Sequence, residues 1–391
     1  MPVSLLMFQQ ASLVSPLANM IMVPYVSFLV VPLVLLGILL LFVSDTASGV
    51  LFSIADWLFS LIWPLLQWLS DWPWSHWVKA QPGVVLALLA LLGVAILLTP
   101  RLRHVRVAGA VLMLPMLLWQ PQPPPPGGYR LDVLDVGQGL AVVVTTHSRT
   151  LVYDTGARFS ERLDSGKAVL LPFLRNQGIE RIDLLIISHG DGDHIGGAPS
   201  LLEAYPDTRV LGQGIGKLAA ASSECCLAGQ TWAWDGVSFT MLHPDNAGYA
   251  SSNNRSCVLR VEGAGGSVLI TGDIEKKVEN SLLQRYRDEL AADVLVAPHH
   301  GSKTSSMRNF VEAVSAHIVI FAAGYRNRYH FPNRAVVARY AATDASMYVS
   351  GRDGAISLAV HPHHGISKVE SYREAGGKYW NHRVPGFRQA D

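Results

Sequence analysis

The first 44 residues carry no charged side chain, and within them Ile21 to Val43 is an unbroken apolar stretch of membrane-spanning length. Pro24 and Pro32 interrupt it only as prolines do in lipid-embedded helices. Core helices of a water-soluble protein rarely run to such uncharged lengths. Gly49 to Leu69 is a weaker span: Asp56 breaks it, and its tryptophans suit an interface or a partner helix. Pro82 to Thr99 is strongly apolar, whereas Val105 to Trp119 is short and contains Pro115. Three to four transmembrane helices are therefore expected over residues 1–120. A cleavable signal peptide is not, because the N-terminus lacks a basic flank and further apolar segments follow.

Charge divides the chain. Residues 1–129 hold only Asp45, Asp56, Asp71, Lys79, Arg101, Arg103 and Arg106, so 54 of the 61 charged side chains fall in the remaining 262 residues. That second part balances 27 basic against 27 acidic groups, which excludes a global basic footprint for nucleic acid and leaves only local contacts. Arg101, Arg103 and Arg106 form the only basic cluster of the apolar part, and positive loops stay cytoplasmic. If Val105 to Trp119 crosses, residues after it lie on the outer face of a cell (inner) membrane. PQPPPPGG at 121–128 reads as a stiff polyproline spacer with a flexible end. It separates the membrane segment from a domain at 129–391.

In that domain LDVLDV, LAVVVTT and TLVYDTG read as an antiparallel meander. Helical stretches then alternate with apolar strands: helix 166–177, strand 182–188, helix 195–204, strands near 237–243, 255–262 and 267–271. Helix 274–290, strand 293–297, helix 306–315, strand 317–322, helix 333–342 and a last strand pair follow. The class is mixed α/β with helices covering sheets. Three cysteines make no disulfide framework: Cys225 and Cys226 are adjacent, and Cys257 lies in an expected strand.

Four apolar strands end in chemistry. TLVYDTG ends in Asp154, DLLIIS leads into HGDGDH, SVLITGD ends in Asp273, and DVLVAPHHGS ends in His299 and His300. Two imidazoles and two carboxylates within six positions, His189, Asp191, Asp193 and His194, are costly to crowd unless a cation sits among them. Polar groups recurring at strand exits converge on one rim of a sheet sandwich, where a two-metal site can be assembled.

The pattern resembles the metallo-β-lactamase superfamily, whose signature is His-x-His-x-Asp-His with later ligands from strand ends. More narrowly, LDVLDVGQG, LVYDTG, ISHGDGDHIGG, NNRSCVLRV, LITGD, PHHGSKTS and NRYHFP, in this order, look like the C-terminal domain of the ComEC family of DNA-uptake proteins. The apolar half looks like the tail of that family's membrane competence domain. Its N-terminal domain and most of its membrane bundle have no counterpart in this sequence. The resemblance implies an αββα sandwich preceded by a bundle of transmembrane helices. It implies one metal near His189 and Asp191, a second near Asp193, His194 and His299, and Asp273 between them. Asp193 would also orient the attacking water, His300 would act in catalysis, and Asp154 and Asn254 would support the ligands from behind.

Two departures from the family pattern matter. Asp191 stands where the second motif histidine is usual, and Asn253, Asn254 and Ser256 occupy the stretch of the third. His243 is the nearest spare imidazole and fits a structural role better. The site is thus oxygen-rich, which favours Mn²⁺ over Zn²⁺. Ser302, Lys303 and Ser305 are candidates for holding phosphate. Arg326 belongs with Asn327, Arg328, Tyr329 and His330 in a basic, aromatic loop suited to single-stranded DNA. The implied function is a membrane-anchored, metal-dependent nuclease in DNA uptake, with DNA, membrane lipid and other DNA-uptake proteins as partners. Hydrolysis of another ester, lactone or β-lactam, or non-catalytic guiding of DNA, uses the same residues.

Overall fold

The computed structural model describes residues 2–376 apart from 73, 217, 219–221 and 246–247. The chain divides into two compact units, residues 1–121 with 175–178, and residues 122–174 with 179–391.

In the first unit two helices are long and apolar enough to cross a membrane, Ser15–Leu40 and Asp45–Ser70, each of 26 residues. Ser44 caps the second, its hydroxyl accepting the Ala47 N–H. Val84–Leu98 and Pro100–Leu118 form a pair bent by 114°, so among the described residues the spans number two, or three if the pair is one broken span. This falls below or at the lower end of the expected three to four. The α-helical parts on either side of the bend have 15 and 13 residues, and about 20 are needed for each to cross alone. The pair packs through facing glycines: a Cβ at Gly93 would lie 2.4 Å from the Gly109 carbonyl oxygen. Two short strands, β1 (Gln10–Ser12) and β2 (His76–Val78), pair antiparallel.

The second unit is a sandwich of two sheets. β3 (Tyr129–Val133), β4 (Val142–Thr145) and β5 (Thr150–Tyr153) form the expected meander. β6 (Leu184–Ile187), β7 (Arg209–Gly212) and β8 (Ser222–Glu224) extend it in parallel. The second sheet begins with β9 (Thr231–Trp234), β10 (Val237–His243), β11 (Val258–Gly263) and β12 (Gly266–Ile270), all antiparallel. It continues in parallel through β13 (Val294–Val296), β14 (Ile318–Phe321) and β15 (Ser346–Val349). β16 (Ile356–His361) then returns to the first sheet beside β3, edged by β17 (Gly365–Ile366) and β18 (Glu370–Ser371).

Period-two alternation builds the layers. Leu131, Val133, Val142, Val144, Leu151 and Tyr153 turn inward against Phe239, Met241, Leu259, Val261, Val268 and Ile270. Each such side chain contributes roughly 1.5–3 kcal/mol by leaving water. The intervening residues face helices: Val143, Val152, Leu185 and Ile187 meet Leu170, Leu174 and Leu201, while Leu269, Leu295 and Val319 meet Val278, Leu282 and Phe310. Four layers result, helix–sheet–sheet–helix, as the resemblance implied.

Two sequence expectations are corrected. Cys226 and Cys257, 31 residues apart, form a disulfide buried between the sheets, while Cys225 is free and exposed. The pairing needs β9 and β10, which lie between them in sequence, to fold back on each other, which spacing alone does not reveal. The glycine end of the proline-rich segment is docked and not flexible. Gly127 N–H donates to Asp235 O at 2.6 Å, and its carbonyl accepts from Ala264 N–H at 3.0 Å.

Candidate metal centre

Each strand exit delivers polar groups to one rim of the sandwich. β5 and β6 are parallel neighbours, as are β12 and β13, so their C-terminal ends share an edge. Asp154 follows β5, Ser188 and His189 follow β6, and Asp273 follows β12. The Pro298–Gly301 turn follows β13. Asp191 opens the short Gly192–Ile195 helix that carries Asp193 and His194. The GQG loop lies flat against this helix: a Cβ at Gly139, whose φ is +138°, would sit 2.3 Å from the Asp193 carbonyl oxygen.

Three histidines are gripped by one ring nitrogen and leave the other free. His194 Nδ1 donates to Asp154 Oδ2 at 2.7 Å, and His300 Nδ1 to the Ala322 carbonyl at 2.7 Å. His189 Nδ1 lies 2.9 Å from the Ser188 hydroxyl, which itself donates to Asp154 at 2.6 Å. The Nε2 atoms of His189, His194 and His300, and Oδ1 of Asp273, are all buried without a hydrogen-bond partner. They are nonetheless close: His194 Nε2 is 3.3 Å and His300 Nε2 3.5 Å from Asp273 Oδ1. A buried group left unpaired costs about 1–3 kcal/mol, more if charged. Divalent cations held among these atoms would satisfy them.

The donor atoms form two overlapping groups, His189–His194–Asp273 and Asp193–His194–His300, with all atoms of each group within 4.8 Å of one another. Asp193 Oδ2 stands 3.5 Å from His300 Nε2 and 3.9 Å from His194 Nε2. Asp191 Oδ2 is 3.4 Å from His189 Nε2, with its side chain about half exposed. The donors present, three imidazoles and three carboxylates, suit divalent ions of intermediate to hard character.

The resemblance implied His299 as a metal ligand and His300 in catalysis. His300 joins the donor groups. His299 Nε2 lies 3.7 Å from Asp273 Oδ2 and 3.4 Å from Asn253 Nδ2, and its Nδ1 is 3.1 Å from the Thr304 hydroxyl. The cause is local backbone. Both residues have left-handed φ, +48° and +55°, and the turn they make sends the second ring inward. Two such non-glycine residues cost about 1–3 kcal/mol each, strain of the kind that concentrates at functional sites.

The electrostatics follow the carboxylates. Burial alone would push His194 down, but Asp273 and Asp154 outweigh it and hold the imidazolium well above its usual range. His189 moves the other way: burial, then the neighbouring His194, lowers it. Burial would raise Asp273, yet His194, His300 and His189 hold it well below the usual carboxylate range. Asp193 is also held low, His300 and His194 overcoming its burial.

Asp154 is fully buried and meets the donors through His194 Nδ1 and Ser188. Asn254 lies further off and pins the segment after Asp273. Its Nδ2 donates to Glu275 Oε2 at 2.9 Å, and its Oδ1 accepts the Glu275 N–H at 3.0 Å. His243 contacts the Asn254 carbonyl through Nε2 at 2.9 Å, a structural contact. Sequence reasoning gives Ser188 no role and names Ser256 only as standing in the stretch of the third motif. Ser256 Oγ accepts the Asp273 N–H at 3.0 Å and lies 3.4 Å from His189 Nδ1. Their one signal was position, at a strand exit and just before a strand.

Among the phosphate candidates, Ser305 is corrected: its hydroxyl is buried and donates to the Pro298 and Ser302 carbonyls. Ser302 is buried too, its hydroxyl 3.1 Å from that of Thr304, whereas Lys303 is exposed. Asn327 is corrected as well. Its amide bonds Gly324 O, Phe331 O and Phe331 N, which braces the loop and leaves Arg328, Tyr329 and His330 to face solvent.

Residues 134–324 match the metallo-beta-lactamase superfamily, and residues 1–104 match the competence protein family. Competence protein ComA of Neisseria gonorrhoeae is 33% identical over 354 residues, covering 90% of this chain and 49% of that protein. The chain spans about half the length, 44–49%, of four of the curated relatives it matches. Ribonuclease J of Mycolicibacterium smegmatis is 35% identical over 98 residues, 23% of this chain and 17% of that enzyme. The metallo-beta-lactamase fold protein YhfI of Bacillus subtilis superposes with a TM-score of 0.38 at 15% identity, over 56% of this chain and 95% of that structure.

Proposed function

Since the chain belongs to the ComEC family by its competence segment at 1–104 and its metallo-β-lactamase domain at 134–324, we propose that it is a membrane-anchored, metal-dependent nuclease acting on DNA during uptake. The observation that carries hydrolysis is the convergence of four buried, unpartnered donor atoms from His189, His194, Asp273 and His300. Two divalent ions, with Mn²⁺ preferred, would supply Lewis acidity to a phosphodiester and acidify water. The protein's own part is to hold the Nε2 atoms of His189, His194 and His300 in place through their Nδ1 contacts. Asp193, with about a third of its side chain exposed, stands at the mouth of the site and orients the attacking water. Lys303 offers an ammonium to the substrate backbone from the same turn that carries His300.

DNA as substrate draws on the competence relatives, on the ribonuclease likeness, and on the basic, aromatic loop beside the centre. The outer face of a cell membrane is supported by the Cys226–Cys257 disulfide, since such bonds persist in oxidising compartments. The two long apolar helices support membrane lipid as a partner, and the likeness to competence proteins supports other DNA-uptake proteins.

The test uses the full chain in detergent with a labelled single-stranded oligonucleotide and Mn²⁺, Zn²⁺ or Mg²⁺ in turn. Manganese-dependent cleavage, lost in Asp193→Ala, is expected. No cleavage with any ion, while elemental analysis finds two metals bound, sinks the nuclease reading and turns attention to other esters.

A further inference from the structure

Three rings are layered outward from the metal centre. The His300 imidazole faces Phe331 with centroids 6.3 Å apart and planes inclined by 25°. Phe331 faces Tyr329 at 5.5 Å and 20°. Tyr329 is 48% exposed, so the stack runs from a buried donor group to solvent. The Arg328 guanidinium lies 4.8 Å from the Tyr329 ring centroid and donates to its hydroxyl at 2.5 Å.

The loop that carries these rings is stiff. Asn327 ties Gly324 to Phe331 through three hydrogen bonds of 2.7–2.9 Å, and Arg326 and His330 adopt left-handed φ of +50° and +56°. An aromatic platform held this way loses little freedom when a ligand settles on it. Residues 325–334 hold three arginines and no acid, so the platform is also attractive to a polyanion.

We propose that Tyr329, backed by Phe331 and flanked by Arg328, is a stacking site for one unpaired nucleobase of the substrate. The proposal rests on the nuclease reading above and adds its strand selectivity. Every base offers a π-face, so the site tolerates any sequence. Internal bases of a duplex have both faces covered, and a base must leave its stack to lie on Tyr329. One ring, Phe331, lies between Tyr329 and His300, at centroid spacings of 5.5 and 6.3 Å, so a strand anchored on Tyr329 has a short path to the donor groups. Single-stranded or frayed DNA is therefore selected, through a contact to bases and not only through backbone charge.

The experiment needs no metal. The full chain in detergent, with EDTA, is titrated into a short single strand carrying 2-aminopurine, whose fluorescence is quenched by stacking. Quenching on binding is expected in the wild type. Tyr329→Ala should bind about 5- to 150-fold more weakly and without quenching. Tyr325→Ala, which removes another exposed ring of the same loop but none of the stack, should match the wild type. A duplex with the same reporter, already dim because its bases stack on one another, should bind more weakly and show no dependence on Tyr329. Undiminished quenching in Tyr329→Ala, an equal loss in Tyr325→Ala, or a duplex bound as tightly as the single strand and weakened as much by Tyr329→Ala overturns the proposal. Adding Mn²⁺ separates the two readings. A wild type that quenches but never cleaves removes the nuclease and keeps the stacking site. Cleavage together with unchanged quenching in Tyr329→Ala does the reverse.

Discussion

His194 donates through Nδ1 to Asp154 at 2.7 Å, with both side chains fully buried and Asp154 held at a φ of +57°. The carboxylate also accepts Ser188 N–H at 2.7 Å and the Ser188 hydroxyl at 2.6 Å, so one group sets the rotamers of His194 and, through Ser188, of His189. Asp154→Asn keeps the shape but places an amide NH₂ where only acceptors fit. Metal affinity should fall about 10- to 100-fold, the usual effect of losing such a support. Calorimetric titration with Mn²⁺, beside far-ultraviolet dichroism to confirm folding, checks this. Unchanged affinity would mean that His194 is oriented by its own packing.

His300 and His299 make a matched pair for the next prediction. Only His300 offers a buried, unpartnered Nε2 to the donor groups, whereas His299 has Asn253 and Thr304 as neighbours. His300→Gln should abolish one class of metal sites. His299→Gln should retain both, with affinity changed by less than about tenfold, because it removes a neighbour of Asp273 and not a donor. Counting bound Mn²⁺ in each variant decides the matter, and an equal loss in both would restore His299 as a ligand.

How far the site was legible follows from the same residues. Apolar strands ending in Asp154, His189, Asp273 and the histidine pair announced a rim of converging polar groups, because period-two burial and strand ends are local properties. The choice between His299 and His300 was not local: it depends on two consecutive left-handed residues that glycine-poor sequence does not advertise. Ser188 and Ser256 drew no supporting role since a serine beside a strand is ordinary until its partners are known. Strands β7, β8 and β9 went unread because three or four residues, half of them exposed, carry little pattern. In the apolar part, composition announced helices but not the 114° bend that joins the last two.

The disulfide yields a stability prediction. It closes a 31-residue separation between the edge of one sheet and β11, and the loop-entropy model gives about 3–4 kcal/mol for a loop of that size. Cys257 is also bound at its backbone, donating to Ser188 O at 3.1 Å and accepting from the Tyr153 hydroxyl. Replacing Cys226 and Cys257 together by serine should therefore lower Tm and loosen the turn that carries His189. Thermal unfolding with and without reductant should show the wild type falling toward the double variant. A wild type insensitive to reductant in the unfolded state as well as the folded one would mean that the bond does not form.

Glu279 supplies the pH dependence. It is fully buried, its carboxylate accepting the backbone N–H groups of Ser306 and of Met307, the latter at 2.7 Å. Arg339 grips the same turn from the other side, donating to Ser305 O at 3.2 Å and Ser306 O at 2.7 Å. Burial pushes the Glu279 carboxyl up from 4.5 to about 7, although the two N–H groups and the charge of Arg339 oppose the shift. The folded chain thus keeps this proton up to about pH 7, whereas the unfolded chain releases it near 4.5. Between those values the folded state binds more protons, so stability from this group is full below 4.5 and declines as pH rises toward 7. Above 7 both states are ionised and the dependence flattens. Glu279→Gln, which cannot ionise, should remove that slope while keeping an acceptor for one N–H. Denaturant midpoints of wild type and variant from pH 5 to 8 test it. Parallel curves would place the proton elsewhere, and a wild-type curve rising with pH would reverse the assigned sign.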